Sequence, residues 1–299
     1  MKNFHGWKKK NSYFEGWYLK HQNKKKMIAF IPAYHIDCGG KASASIQIIT
    51  EKRTWMVTYP ADQFLVSPNM FWVKIGNNLF SEKGIRIAIE EEGLSIKGTI
   101  RYKRFRPPVW DIMGPFKFMP CMQCSHGVLS FYHEISGVLW INGEKIDFLN
   151  GKGYVEKDWG RSFPEEYSWT QCNWGGKQPG CVMAATATIP FGRRSFQGCI
   201  AAVRINGKEY RFATYLGARV QSCGKREIII KQGCYQLKIY HQGKKEFRLQ
   251  APDCGDMKRV VNESPVTCVK YQLWKKNKIL FEYRSRDASF EKADPLQVS

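Results

Sequence analysis

The sequence predicts an almost all-β protein made of two antiparallel barrel halves packed against each other. Three observations carry this. Helical periodicity is scarce, short β-rich runs recur along the whole chain, and Gly, Asn-Gly and Pro punctuate them at near-even spacing. Many short strands spaced this way read as barrels or sandwiches. At 299 residues, the chain is also longer than one hydrophobic core comfortably fills.

The first half carries strand patterns at 13–20, 27–35, 43–50, 54–59, 71–75, 84–90, 94–102, 127–135, 138–141, 145–148 and 153–158. The second half carries them at 167–173, 181–189, 195–205, 209–220, 227–231, 235–241, 245–250, 267–274 and 278–284. Two hairpins stand out, because Asn142-Gly143 and Asn206-Gly207 are the pair that a type I′ turn demands. They lie 64 positions apart, which leaves open a trace of a repeat or two independent hairpins. A Gly/Pro break near 160–166 sets the expected boundary, with one barrel over 1–163 and the other over 164–299. The segment Phe105–His126, rich in Pro, Met and aromatics, fits no strand. It reads as a lid, an inter-barrel wedge or a plain crossover.

Charge and composition narrow the function classes. Net charge is +21, spread along the chain, with short dense runs at Lys8–Lys10 and Lys24–Lys26. This fits a solubilising surface or peripheral contact with an anionic membrane. No zinc-finger spacing, basic zipper or RNA-recognition signature accompanies it, so no nucleic-acid partner is expected. No run approaches the ~18 apolar residues of a spanning helix. Met1–Lys10 does not read as a secretory signal, so the expected location is cytoplasmic, free or peripheral at the membrane surface, with reduced thiols. Phosphate loops, nucleophile elbows and dinucleotide fingerprints are absent from the sequence. Cys121-x-x-Cys124 with His126 is half of a zinc pattern without its second pair, so neither metal nor cofactor is expected.

Carboxylates set among aromatics are the informative feature. Alternation puts Tyr13, Glu15 and Trp17 on one strand face, and Tyr154, Glu156 and Asp158 on another. Trp169, Gln171 and Asn173 share a third. Such faces are too polar for a core and too aromatic for ordinary surface. They suit a pocket wall for a small apolar ligand with a polar head, or a polar network stapling the halves together. His126 adjoins the odd segment and could titrate near neutral pH.

At these residues the sequence resembles the tocopherol cyclase family. The resemblance rests on FEGWYLK (Phe14–Lys20), MGPFKFMPCMQCSHGVLS (Met113–Ser130), GYVEKDWGRSFPEEYSWTQCNW (Gly153–Trp174) and FATYLGA (Phe212–Ala218). These blocks fall in order from Phe14 to Ala218 and leave the last part of the chain beyond them. The resemblance implies two lipocalin-like halves, as in carotenoid hydratase-like relatives. It also implies an isomerase-class activity that closes a chromanol ring on a prenylated quinol.

Such a reaction protonates a trisubstituted alkene, and a phenol oxygen then captures the tertiary cation. Asp158 or Glu156 is the expected acid, with Glu15 third and His126 as a further catalytic candidate. Trp17, Tyr18, Trp159 and Trp169 are expected to line the pocket. Tyr154, Gln171 and Asn173 are expected to orient the polar head. A carrier of an apolar isoprenoid or lipid, or a hydratase or pericyclic enzyme, would use the same container. The expected location is the seam where Glu15, His126, Glu156, Asp158, Trp169 and Gln171 converge.

Overall fold

The computed structural model describes residues 4–119, 122–175, 179–191, 194–243 and 246–294. Among them there is no α-helix, only four short 3₁₀ turns. The first half comprises β1 (Tyr13–Gln22), β2 (Met27–Ile36), β3 (Ala42–Thr50), β4 (Thr54–Pro60), β5 (Phe64–Val66), β6 (Trp72–Ile75), β7 (Asn78–Ser81), β8 (Gly84–Glu91), β9 (Leu94–Tyr102), β10 (Cys124–Ile141), β11 (Glu144–Asp147) and β12 (Gly151–Gly160). The second half continues with β13 (Tyr167–Trp174), β14 (Gly180–Phe191), β15 (Arg194–Ile205), β16 (Lys208–Ala213), β17 (Arg219–Cys223), β18 (Glu227–Gln232), β19 (Tyr235–His241), β20 (Phe247–Asp253), β21 (Asp256–Lys275) and β22 (Lys278–Ala293).

Two antiparallel sheets result. The first runs β4-β3-β2-β1-β12-β10-β9-β8-β7-β6-β5, with β11 on β10. The second runs β16-β15-β14-β13-β22-β21-β19-β18-β17, with β20 on β21. Their logic is the same. Four strands meander, a 3₁₀ turn (Ala61–Gln63 or Thr214–Leu216) follows, further strands meander on, and the last strand returns beside the first. The repeat therefore relates β1 to β13, and β12 to β22.

These are the two antiparallel all-β halves expected from sequence, and the strand order leaves both sheets open at β4 and β5, and at β16 and β17. In the first sheet, Pro60 ends β4 without an N–H to donate, and β5 is only three residues long. Both Asn-Gly hairpins form as expected, with φ near +49° at Asn142 and Asn206 and above +80° at the following glycines. They occupy non-equivalent places, β10–β11 and β15–β16, so they are independent hairpins and not a repeat.

The chain divides into two compact units. One holds 1–111, 124–162 and 251–259; the other holds 112–123, 163–250 and 260–299. A cut at 163/164 is thus interrupted twice, by 112–123 and by the tip of the β20–β21 hairpin. The Phe105–His126 segment splits between the units at residue 111, and Tyr215 O–H donates to the Ile112 carbonyl at 2.8 Å within the second. Each unit has its own apolar cluster. Leu19, Phe30, Ile48, Ile100, Leu139 and Val155 belong to the first. Cys172, Trp174, Val182, Ile230, Tyr271 and Phe290 belong to the second. No helix among the described residues is long and apolar enough to cross a membrane. Each of the nine described cysteines is a free thiol.

Candidate active site

Strand β12 organises the polar chemistry of the first unit. It lies between β1 and β10, and its side chains alternate between two faces. Val155 packs into the apolar cluster, so Lys157 and Trp159 share that inner face. Tyr154, Glu156 and Asp158 point to the opposite face. Antiparallel register then sorts the neighbours, because directly paired residues share a face. Asp158 pairs with His126 on β10, and Glu156 pairs with Tyr18 on β1. On the inner face, Glu15 pairs with Trp159, and Trp17 with Lys157.

The outer face assembles a compact cluster. The His126 ring donates from Nδ1 to Asp158 Oδ1 at 2.8 Å. Its Nε2 lies 3.5 Å from Glu156 Oε2 and is buried without a hydrogen-bond partner among the described residues. Tyr154 O–H donates to Glu156 Oε2 at 2.5 Å. Cys124 Sγ stands 3.9 Å from Asp158 Oδ1. Tyr154 and Glu156 are buried, while His126 and Asp158 keep a small opening to solvent.

Burial alone would drive the His126 pKa down. The Asp158 carboxylate, then Glu156, the Asp158 hydrogen bond and Asp111 outweigh it, and the imidazole is pushed up to about 9. His126 is therefore an imidazolium at neutral pH, held between two carboxylates. Burial first, and then Asp158 and Glu156, push the Cys124 thiol well above its usual range, so it is an inert thiol and not a nucleophile. Ligand atoms of His126, Glu156 and Asp158 all lie within 4.8 Å of one another, a spacing that could also hold a divalent cation. Cys121, the partner in the expected half-site, lies outside the described residues.

Glu15 does not join this cluster. It sits fully buried on the inner face, in an ion pair with the equally buried Lys157. Tyr13 O–H donates to it at 2.5 Å, and the His5 backbone N–H at 2.8 Å. Burial pulls the Glu15 pKa up, but the His5 hydrogen bond, the Lys157 charge and the Tyr13 hydrogen bond together hold it below the usual carboxylate value. The Lys157 ammonium lies 5.1 Å from the Trp17 ring centroid and 5.2 Å from that of Trp159. His5 stacks on Trp159 at 4.5 Å.

The expectation that Glu15, Trp17 and Trp159 would meet Glu156 and Asp158 is therefore corrected: the sheet itself separates them. Trp169, Gln171 and Asn173 belong to the second unit, where all three are buried and Gln171 Nε2 donates to Asn173 Oδ1 at 2.7 Å. They share the face of β13 opposite to Cys172 and Trp174, which pack into that unit's core.

Sequence reasoning passed over Lys157 and His5. Lys157 had a signal, a lysine at an aromatic-flanked strand position between two acids. Also missed was a second histidine group on the inner face, where His21 and His133 flank Gly153. Tyr102 O–H donates to His21 Nε2 at 2.5 Å, and His133 Nδ1 donates to Ser130 Oγ at 3.1 Å.

Comparison with known proteins joins this geometry to a family. The tocopherol cyclase-like family model matches residues 112–293, more than half of the chain and all of β10, β12 and the second unit's strands. The chain belongs to the tocopherol cyclase-like family. The matched stretch holds His126, Tyr154, Glu156 and Asp158. It also runs through the last strands, beyond the blocks read from sequence, and leaves the Phe14–Lys20 block outside. A probable chloroplastic tocopherol cyclase of Oryza sativa subsp. japonica is 30% identical over 125 residues, covering 40% of this chain and 25% of that protein. A chloroplastic tocopherol cyclase of Zea mays is 35% identical over 77 residues, covering 25% and 15%. The alignments thus span a quarter or less of these plant relatives.

Among solved structures, kievitone hydratase from Nectria haematococca has a TM-score of 0.55 at 12% identity, covering 96% of this chain and 90% of that one. CghA with Sch210972 has a TM-score of 0.55 at 9% identity, covering 95% and 88%. At such identities these likenesses show the fold alone.

Proposed function

We propose that the protein is a cyclase acting on a prenylated quinol or a related isoprenoid, with His126, Glu156, Asp158 and Tyr154 supplying the proton. The observation that carries this reading is the His126 ring set between Asp158 and Glu156, 2.8 Å and 3.5 Å away, on a buried, tyrosine-bearing strand face. The cluster sets one imidazole between two carboxyl groups. An apolar ligand laid over this face removes the remaining water, and a buried net charge is costly. Glu156, the more buried of the two acids, is the proposed proton donor.

Glu156 is suited to pass that proton to an alkene. The carboxylate it leaves behind accepts the Tyr154 hydrogen bond and faces the His126 imidazolium, and both stabilise the conjugate base. The proton forms a C–H bond at the less substituted alkene carbon. The resulting tertiary cation takes the phenol oxygen, and the phenol proton is released to a carboxylate. Tyr18, paired with Glu156, presents an aromatic ring on the same face to shelter the cation. Asp158 is a positioning residue that fixes the His126 ring through Nδ1.

The test is turnover of a prenylated quinol by purified protein. Wild type is expected to release the chromanol, and Asp158→Asn to turn over more slowly with its pH profile displaced toward acid. No chromanol from wild type, or an unchanged profile in Asp158→Asn, would remove the assignment. A tertiary alcohol as product would reassign the site to water addition.

A further inference from the structure

We propose that one end of the first unit, marked by Trp7, docks on an anionic lipid bilayer. The chain from Phe4 to Lys10 forms a strap across this end. Its inward side is pinned: Phe4 is buried with its ring 5.6 Å from Tyr34 and 5.5 Å from Phe64, and His5 is held by Glu15 and Trp159. Its outward side is Trp7, which stands edge-on to Phe4 at 5.2 Å yet is 61% exposed.

Two more apolar side chains project from the same end. Leu65 follows the packed Phe64 and is 51% exposed. Met70 precedes Phe71, whose ring lies 6.0 Å from Trp17, and is 54% exposed. Phe4 and Phe71, both buried, and the half-buried Phe64 are the rings beside these three exposed side chains.

Cations surround them. Lys8, Lys9 and Lys10 are exposed, and Lys74 pairs across the ladder with Leu65. The acids nearby include Asp62, exposed in the turn before β5, Asp37, whose carbonyl accepts from Ser12 N–H, Glu82, whose N–H donates to the Phe71 carbonyl, and Asp256, which is paired with Lys258. The strap alone contributes three consecutive exposed lysines, on a chain of net charge +21. An indole at the headgroup level, aliphatic side chains beneath it and lysines around it match the chemistry of an anionic bilayer surface. Nucleic acid fits less well, because Leu65 and Met70 have no ring face on which a base could stack. This inference does not depend on the cyclase reading. It also gives the site an orientation, since Glu15–Trp159 and Gly16–Asp158 are the β1–β12 pairs at this end.

The test is flotation of the full chain with phosphatidylcholine vesicles, with and without phosphatidylserine. Wild type should float with the anionic vesicles and far less with the neutral ones. Each lysine near an anionic surface strengthens binding about fivefold, so Lys8→Gln/Lys9→Gln/Lys10→Gln should weaken it by on the order of a hundredfold. Trp7→Ala and Leu65→Ser should each weaken it several-fold, with thermal melts like wild type. Trp140→Ala should leave it unchanged: Trp140 is also exposed and paired with Lys97 and Lys145, but lies at the far end of β10. Equal flotation with both vesicles, no flotation at all, or a Trp140→Ala loss as large as that of Trp7→Ala would overturn the proposal. So would low-salt duplex DNA binding that needs the three lysines but not Trp7, in the absence of flotation.

Discussion

Strand β10 carries two histidines seven positions apart whose surroundings drive them in opposite directions. His126 faces outward beside Asp158 and Glu156, and its pKa is pushed up to about 9. His133 faces inward against Tyr102 and Phe105, with ring centroids at 4.6 and 4.7 Å, and burial followed by the nearby His21 pushes it down to about 3. His21 is likewise lowered to about 3 by burial. The same side chain on the same strand is a charged proton store on one face and a neutral core group on the other. The difference lies in the carboxylates: the outer face brings Asp158 and Glu156 to the His126 ring, while on the inner face Glu15 is paired with Lys157.

The largest expected effect breaks the outer cluster. Glu156→Gln keeps the shape and removes the proposed acid, so turnover should fall by about a thousandfold, within the range of a lost general acid. Single-turnover assays on the prenylated quinol measure it, and a loss below tenfold would place the acid elsewhere.

Next comes the inner face. Lys157→Met leaves Glu15 buried without its cation, and should cost about 4 kcal/mol in denaturant unfolding. Glu15→Gln/Lys157→Met should recover much of that loss. A double variant as unstable as the single one would mean the pair is not coupled.

The two histidine groups should then show opposite pH dependence. The folded pKa of His133 lies below the ordinary value of 6.5, so the unfolded chain takes up a proton first as pH falls. Stability from this group is intact above pH 6.5 and drains away toward pH 3. Replacing it in His133→Leu should relieve about 3 kcal/mol of the acid loss between pH 6.5 and 4. His126 has the reverse sign, because its folded pKa lies above 6.5. Its contribution is complete below about pH 6.5 and is lost as pH rises through 9. Wild type should lose about 2–3 kcal/mol over that window, and His126→Gln should flatten the slope. Unfolding curves at a series of pH values check both, and parallel slopes in the two variants would erase the contrast.

Much of this was legible in sequence. Asn142-Gly143 and Asn206-Gly207 dictated their turns, and period-two alternation placed Tyr154, Glu156 and Asp158 on one face, with His126 on the neighbouring strand. The face of β1 relative to β12 was not legible. Alternation sorts side chains within a strand, but a one-residue change of register carries a whole set to the other side. The observed register sets Glu15 against Trp159 and so removes it from the acid cluster. The three-residue β5 and four-residue β7 were too short to show a period. His5 reaches Glu15 from outside any strand, and no local pattern announces such a contact.

Cyclisation in deuterated water shows whether the cluster on β12 delivers a proton to carbon. One deuterium per chromanol is expected, at the ring methylene between the benzylic carbon and the new quaternary carbon, with almost no product from Glu156→Gln. A chromanol formed without deuterium there, or formed equally fast by Glu156→Gln, would contradict it.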